Sequence, residues 1–239
     1  MFGIFVLGGL VKGIAGFGLP TISLGLLALT RPLPEAMPLA LLPTLATNLW
    51  QAFGGGALRP VLRRMGGFLA AAFLGTLLAA GQLARADAAL LGGLLGLLTA
   101  ASAALALLGP RWPQPAPEAE RWLSPAVGGV SGAIAGLTGS FMMPAAPWLA
   151  ALRLPPDAFV QAFALGAVVA TVTLGAAMGA QGLIPPGLGL ASVAVLAPAF
   201  LGMAIGRRLR GVLSEAGFRR TVQLFLLALG LYLAVRNLL

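Results

Sequence analysis

Apolar runs separated by short polar or proline-bearing breaks occupy almost the whole chain. They cover about 2–30, 36–56, 66–83, 88–108, 125–151, 158–180, 187–206 and 218–237. About 20 apolar residues cross a bilayer core as a helix, so the pattern predicts an all-α, polytopic integral membrane protein. Two runs, 2–30 and 125–151, are longer than one crossing needs, and each is interrupted by glycine and proline. The first reads Gly8-Gly9-Leu10-Val11-Lys12-Gly13-Ile14-Ala15-Gly16-Phe17-Gly18-Leu19-Pro20. The second reads Gly128-Gly129-Val130-Ser131-Gly132-Ala133-Ile134-Ala135-Gly136-Leu137-Thr138-Gly139-Ser140, then Phe141-Met142-Met143-Pro144. Such breaks free backbone polar groups. Hydrocarbon tolerates these only where protein buries them or water reaches them. A break repeated in two apolar segments is a pointer to a transporter binding site.

The repetition extends along the chain. Pro34-Glu35-Ala36 precedes the second run and Pro156-Asp157-Ala158 the sixth, each placing an acid at the positive end of a helix. Phe53-Gly54 with Leu58 and Pro60 matches Met178-Gly179 with Leu183 and Pro185. Phe73-Leu74-Gly75 matches Phe200-Leu201-Gly202. The expected organisation is a first repeat at 1–108, a proline-rich cytoplasmic linker at 109–124 and a second repeat at 125–239.

Arginine placement bears on topology. If all eight runs cross, six arginines face one side and eight the other, which sets no orientation. If runs one and five enter and return on one side, eleven arginines share a face, from the 57–65, 109–124, 152–157 and 207–220 loops. Arg31, Arg85 and Arg236 are left opposite. That asymmetry satisfies the positive-inside rule. Each repeat then holds one re-entrant or broken helix plus three transmembrane helices, and the odd number of crossings makes the repeats inverted. Two long, tilted or kinked spanning helices are the alternative for 2–30 and 125–151.

Composition sharpens this. The 239 residues are 59% hydrophobic and 9% charged, well below the roughly 25% charged residues of soluble domains. Cysteine and histidine are absent, which removes disulfides, thiol nucleophiles and Cys/His metal sites. The net charge of +9 is explained by arginines between apolar runs, so no nucleic-acid partner is expected. The N-terminus lacks a basic n-region, so no cleaved signal peptide is expected. No nucleotide-binding motif appears, no cofactor is implied, and an intramembrane enzyme would have few groups to work with.

Lys12 is the only lysine, and it lies inside the first break pattern, where the second has Gly132. A charge in a membrane segment is costly, so it either holds an anion near the midplane or snorkels to an interface. Thr21 and Ser23 follow the first break, and Thr138 and Ser140 lie within the second. Their hydroxyls either donate to an oxyanion beside a helix start or back-bond to their own helices. Thr44, Asn48 and Gln51 share one helix face, suited to substrate contact or interhelical packing. Gly-x-x-x-Gly spacings recur, and mark close helix packing without establishing a homo-oligomer. Carboxylates are too sparse in the runs for a proton relay or divalent-cation site.

The two patterns resemble the sulfite exporter TauE/SafE family of bacterial and archaeal permeases, over essentially the whole chain. The matched residues are Gly13, Gly16, Gly18 and Pro20 in the first half, and Gly132, Gly136, Gly139 and Pro144 in the second. The resemblance implies a multi-pass protein of the bacterial cytoplasmic (inner) membrane, with the lipid bilayer and a small sulfur-containing anion such as sulfite or an organosulfonate as partners. Lys12 is a reading of the residues and not of the resemblance. The expected substrate-binding residues are Lys12, Gly16, Gly18, Thr21, Ser23, Asn48, Gln51, Gly136, Thr138, Gly139 and Ser140. An anion channel or an uptake permease is the alternative to an exporter.

Overall fold

The computed structural model describes residues 1–109, 112–210 and 215–239. Pro110 and Arg111, part of the expected linker and of the arginine asymmetry, lie outside them. Among the described residues the regular structure is entirely helical. The helices are α1 (Phe2–Ala15), α2 (Leu19–Leu27), α3 (Leu33–Phe53), α4 (Leu58–Ala80), α5 (Ala88–Leu108) and α6 (Pro117–Thr138). They continue with α7 (Ala145–Ala151), α8 (Pro156–Ala180), α9 (Pro186–Ala194), α10 (Leu196–Leu209) and α11 (Glu215–Leu238). Five stretches of the described residues are long and apolar enough to cross a membrane: Leu58–Arg85, Ala88–Leu108, Pro156–Ala180, Pro186–Leu209 and Gly217–Leu238. The protein is thus polytopic, as the apolar pattern predicts.

Helix α3 has the length of a crossing but contains Pro38 and Pro43. Pro43 has no N–H, so the carbonyl of Leu39 loses its intrahelical donor. Ser192 of α9 repairs the gap: its hydroxyl donates to Leu39 O at 3.1 Å and accepts from Leu42 N at 3.2 Å. Helix α6 starts inside the stretch read as linker. Pro117 occupies its first turn with Glu118 and Glu120, which favours a helix start. Glu120 also takes a bidentate pair of bonds from Arg64 of α4, at 2.7 and 2.8 Å.

Both long runs fold back on themselves. Were α1 and α2 one straight helix, Gly8 and Ser23 would lie about 22 Å apart. Instead a Cβ on Gly8 would sit 2.8 Å from Ser23 Oγ and 3.2 Å from Leu19 O. In the second run, Trp148 Nε1 of α7 donates to Ser124 Oγ of α6 at 3.1 Å, across a span that would be about 36 Å in a straight helix. Each run is a helical hairpin of unequal arms, and the alternative of one long, tilted or kinked spanning helix does not describe either.

The chain forms two compact units, each drawing on both sequence halves. One comprises Met1–Thr44, Arg85–Pro110 and Leu183–Leu239; the other comprises Leu45–Ala84 and Arg111–Gly182. Glycine dictates the central helix pair of each. In the first unit α1 meets α10 backbone to backbone. A Cβ at Gly9 or Gly13 would strike Ala199 O or Met203 O, and one at Gly202 or Gly206 would strike Val6 O or Leu10 O. In the second unit α6 meets α4 in the same way, with Gly128, Gly132 and Gly136 against the carbonyls of Phe68, Ala72 and Thr76. Small residues allow such approach in lipid, where no hydrophobic drive joins helices. The hairpin of each half therefore packs on the third apolar run of the other half.

Candidate functional site

At the first break α1 ends in Gly16, with φ 88° and its N–H bonded to Lys12 O at 2.8 Å. Gly18, with φ 103°, then caps the start of α2, and Pro20 sits in the first turn. Two left-handed residues within three positions turn the chain back, and glycine adopts them without the Cβ penalty. Val11 and Ile22 close the two arms against Ala103 of α5 and Leu226 of α11.

Lys12 lies one turn before the break and is 1% exposed, so it does not reach out of the protein as a snorkelling lysine would. It shares a helix face with Gly8, one turn earlier. Gly8 meets Leu19 and Ser23, so that face looks toward the returning arm α2. Thr21 and Ser23 of α2 are both buried. The Ser23 hydroxyl has no hydrogen-bond partner among the described residues. The first break thus brings Lys12, Gly16, Gly18, Thr21 and Ser23 into one hairpin.

The second break is built differently. The C-cap of α6 is Gly139, φ 72°, three residues beyond Gly136. Gly136 itself is helical and packed on α4. Thr138 Oγ1 donates to Ile134 O at 2.8 Å and accepts from Ser140 N at 3.3 Å, so its hydroxyl caps its own helix end. Phe141 fills the turn. Its ring meets Phe68 and Phe163 edge-on, with centroids 5.9 and 6.0 Å away, and Gly166 provides the space beside it.

The absence of a lysine at position 132 has a steric cause. In the first hairpin the residues packed on the partner helix are Gly9 and Gly13; in the second they are Gly128, Gly132 and Gly136. Aligned by sequence, Gly128 and Gly132 correspond to Gly8 and Lys12. The contact stripe is therefore offset by one residue, about 100° around the helix. That rotation turns the Gly8–Lys12 face away from α10 and toward α2 in the first hairpin. At Gly132 the same face lies against Ala72, where any side chain collides.

Asn48 is buried on α3 and Gln51 half-buried one turn on. Sequence reading passed over three polar residues that hold backbone ends. Gln161, fully buried, donates from Nε2 to Ala52 O (2.6 Å) and Gly55 O (2.9 Å) and accepts from Ala57 N (2.9 Å). Gln181 likewise binds Ala80 O and Ala84 N beyond α4. With Ser192, these satisfy groups that helix ends and proline leave bare. The available signal was an amide or hydroxyl in or beside an apolar run.

A family model described as sulfite exporter TauE/SafE matches residues 1–233. No curated protein matches the chain. No solved structure matches it either.

Proposed function

The chain belongs to the sulfite exporter TauE/SafE family, and from that membership we propose that it is a secondary transporter exporting a small sulfur-containing anion, sulfite or an organosulfonate, across the bacterial cytoplasmic membrane. The observation that carries the site is Lys12, a buried lysine whose helix face looks onto α2 and its Ser23 hydroxyl, unmatched among the described residues. A desolvated lysine attracts an oxyanion far more strongly than a hydrated one. A buried serine lacking an acceptor supplies a hydrogen bond once the oxyanion arrives. The N-terminus of α2 adds positive potential at the same break.

The second break carries no such group, since the Thr138 hydroxyl bonds its own helix end and Phe141 packs on Phe68. Alternating access then proceeds by motion of compact units that are not the sequence halves. Counterflow in proteoliposomes tests the reading. Saturable exchange of labelled sulfite for unlabelled sulfite is expected. Unitary currents without counterflow would assign an anion channel instead, and outward against inward gradients would separate export from uptake.

A further inference from the structure

The first unit contains a second concentration of positive charge that the transport reading does not use. Where α2 and α11 finish and α5 begins, a cavity of about 290 Å³ is lined by Thr30, Arg31, Ala88, Arg236 and Asn237 among others. Among the described residues no carboxylate lines it. The nearest acids on the surrounding elements are already placed. Asp87 accepts from Leu90 N at 2.9 Å, and Glu35 is exposed in the first turn of α3. Neither forms an ion pair with Arg31 or Arg236 among the described residues.

The two arginines differ in state. Arg236 is fixed by donating from Nη1 to Leu29 O at 2.7 Å. Arg31 Nε is buried and has no hydrogen-bond partner among the described residues. A buried guanidinium donor left unmatched is costly, and the acceptor that suits its planar fork is an oxyanion. The first turn of α5 forms the adjoining wall; Asp87 caps its Leu90 N–H, while Ala88 and Ala89 precede the first intrahelical bond. Gly92 leaves room for Asn237 beside it, where a Cβ would come within 3.2 Å of the Asn237 amide.

We propose that this cavity is an oxyanion-binding site, with Arg31 as its principal ligand and Arg236 as its second cation. The chemistry recognised is a phosphate- or sulfate-type group, whether on an anionic phospholipid headgroup or free in solution. The site is independent of Lys12, and its volume of about 290 Å³ holds such a group with several waters, each taking about 30 Å³.

The test uses the full chain in nanodiscs, with Lys12→Met present throughout so that the first break cannot respond. In phosphatidylcholine discs, sulfate and inorganic phosphate replace chloride at constant ionic strength and the unfolding temperature is followed. A parallel series replaces phosphatidylcholine with phosphatidylglycerol. Stabilisation by sulfate or phosphate, weakened about tenfold or more by Arg31→Gln, identifies a soluble anion. Stabilisation by phosphatidylglycerol alone, lost in the same variant, identifies a headgroup. Arg31 Nε has no partner to lose among the described residues, so Arg31→Gln should fold normally. Arg236→Lys, which keeps the charge but not the fork, should give a smaller loss. Equal responses with and without Arg31→Gln in both series would overturn the proposal.

Discussion

The two breaks share a glycine frame and do different work. The first keeps a buried lysine facing its returning arm, and that arm carries a serine hydroxyl unmatched among the described residues. The second spends its threonine on its own backbone, staples Trp148 to Ser124 and fills its turn with Phe141. A one-residue offset in the glycine contact stripe separates them. It turns one helix face toward α2 in the first hairpin and into a helix–helix contact in the second. The hairpin occurs twice, and packing register decides which of the two has room for the lysine.

The comparison can be broken by substitution, and the largest effect belongs to Lys12. Lys12→Met should lower anion affinity by about 2–5 kcal/mol, roughly thirty-fold or more, as for other truncated buried charge contacts. Thermal unfolding should show an intact fold. Next, Phe141→Ala should cost about 3–5 kcal/mol of stability by opening a cavity, with substrate affinity unchanged in the folded fraction. An affinity loss equal to that of Lys12→Met would make the second break part of the site.

Gly18→Ala and Gly139→Ala should each cost about 1–2 kcal/mol, because both place a Cβ in a left-handed conformation. Only Gly18→Ala should also raise the substrate concentration for half-maximal exchange. The smallest pair sharpens the contrast. Ser23→Ala should leave stability unchanged while weakening the anion by about 1 kcal/mol. Thr138→Val should do the reverse, costing about 1 kcal/mol of stability through the lost helix-end bonds and leaving affinity unchanged. These pairs are read by unfolding temperature beside binding or exchange on the same preparations.

Much of the fold was legible because glycine and proline announce backbone events locally. The apolar runs, the hairpin reversals and the helix starts at Glu35 and Asp157 all have short-range causes. What stayed hidden depends on partners far along the chain. Glycine spacing shows that a helix is approached closely but not by which neighbour. The packing of α1 on α10 and of α6 on α4, and hence the units built from both halves, could not be read from it. Gly136 shows the limit within the site. The motif frame pairs it with Gly16, yet α6 runs on to Thr138 and breaks at Gly139. Gln161 and Ser192 were equally obscure, because the backbone ends they satisfy lie about a hundred residues or more away.

The measurement that bears most directly on the asymmetric pair of breaks is counterflow of labelled sulfite or sulfoacetate by Lys12→Met in proteoliposomes. Wild-type protein and Thr138→Val are assayed beside it at matched insertion. The account predicts saturable exchange by wild type and Thr138→Val, and exchange no faster than empty vesicles for Lys12→Met. Exchange by Lys12→Met at the wild-type rate would contradict it.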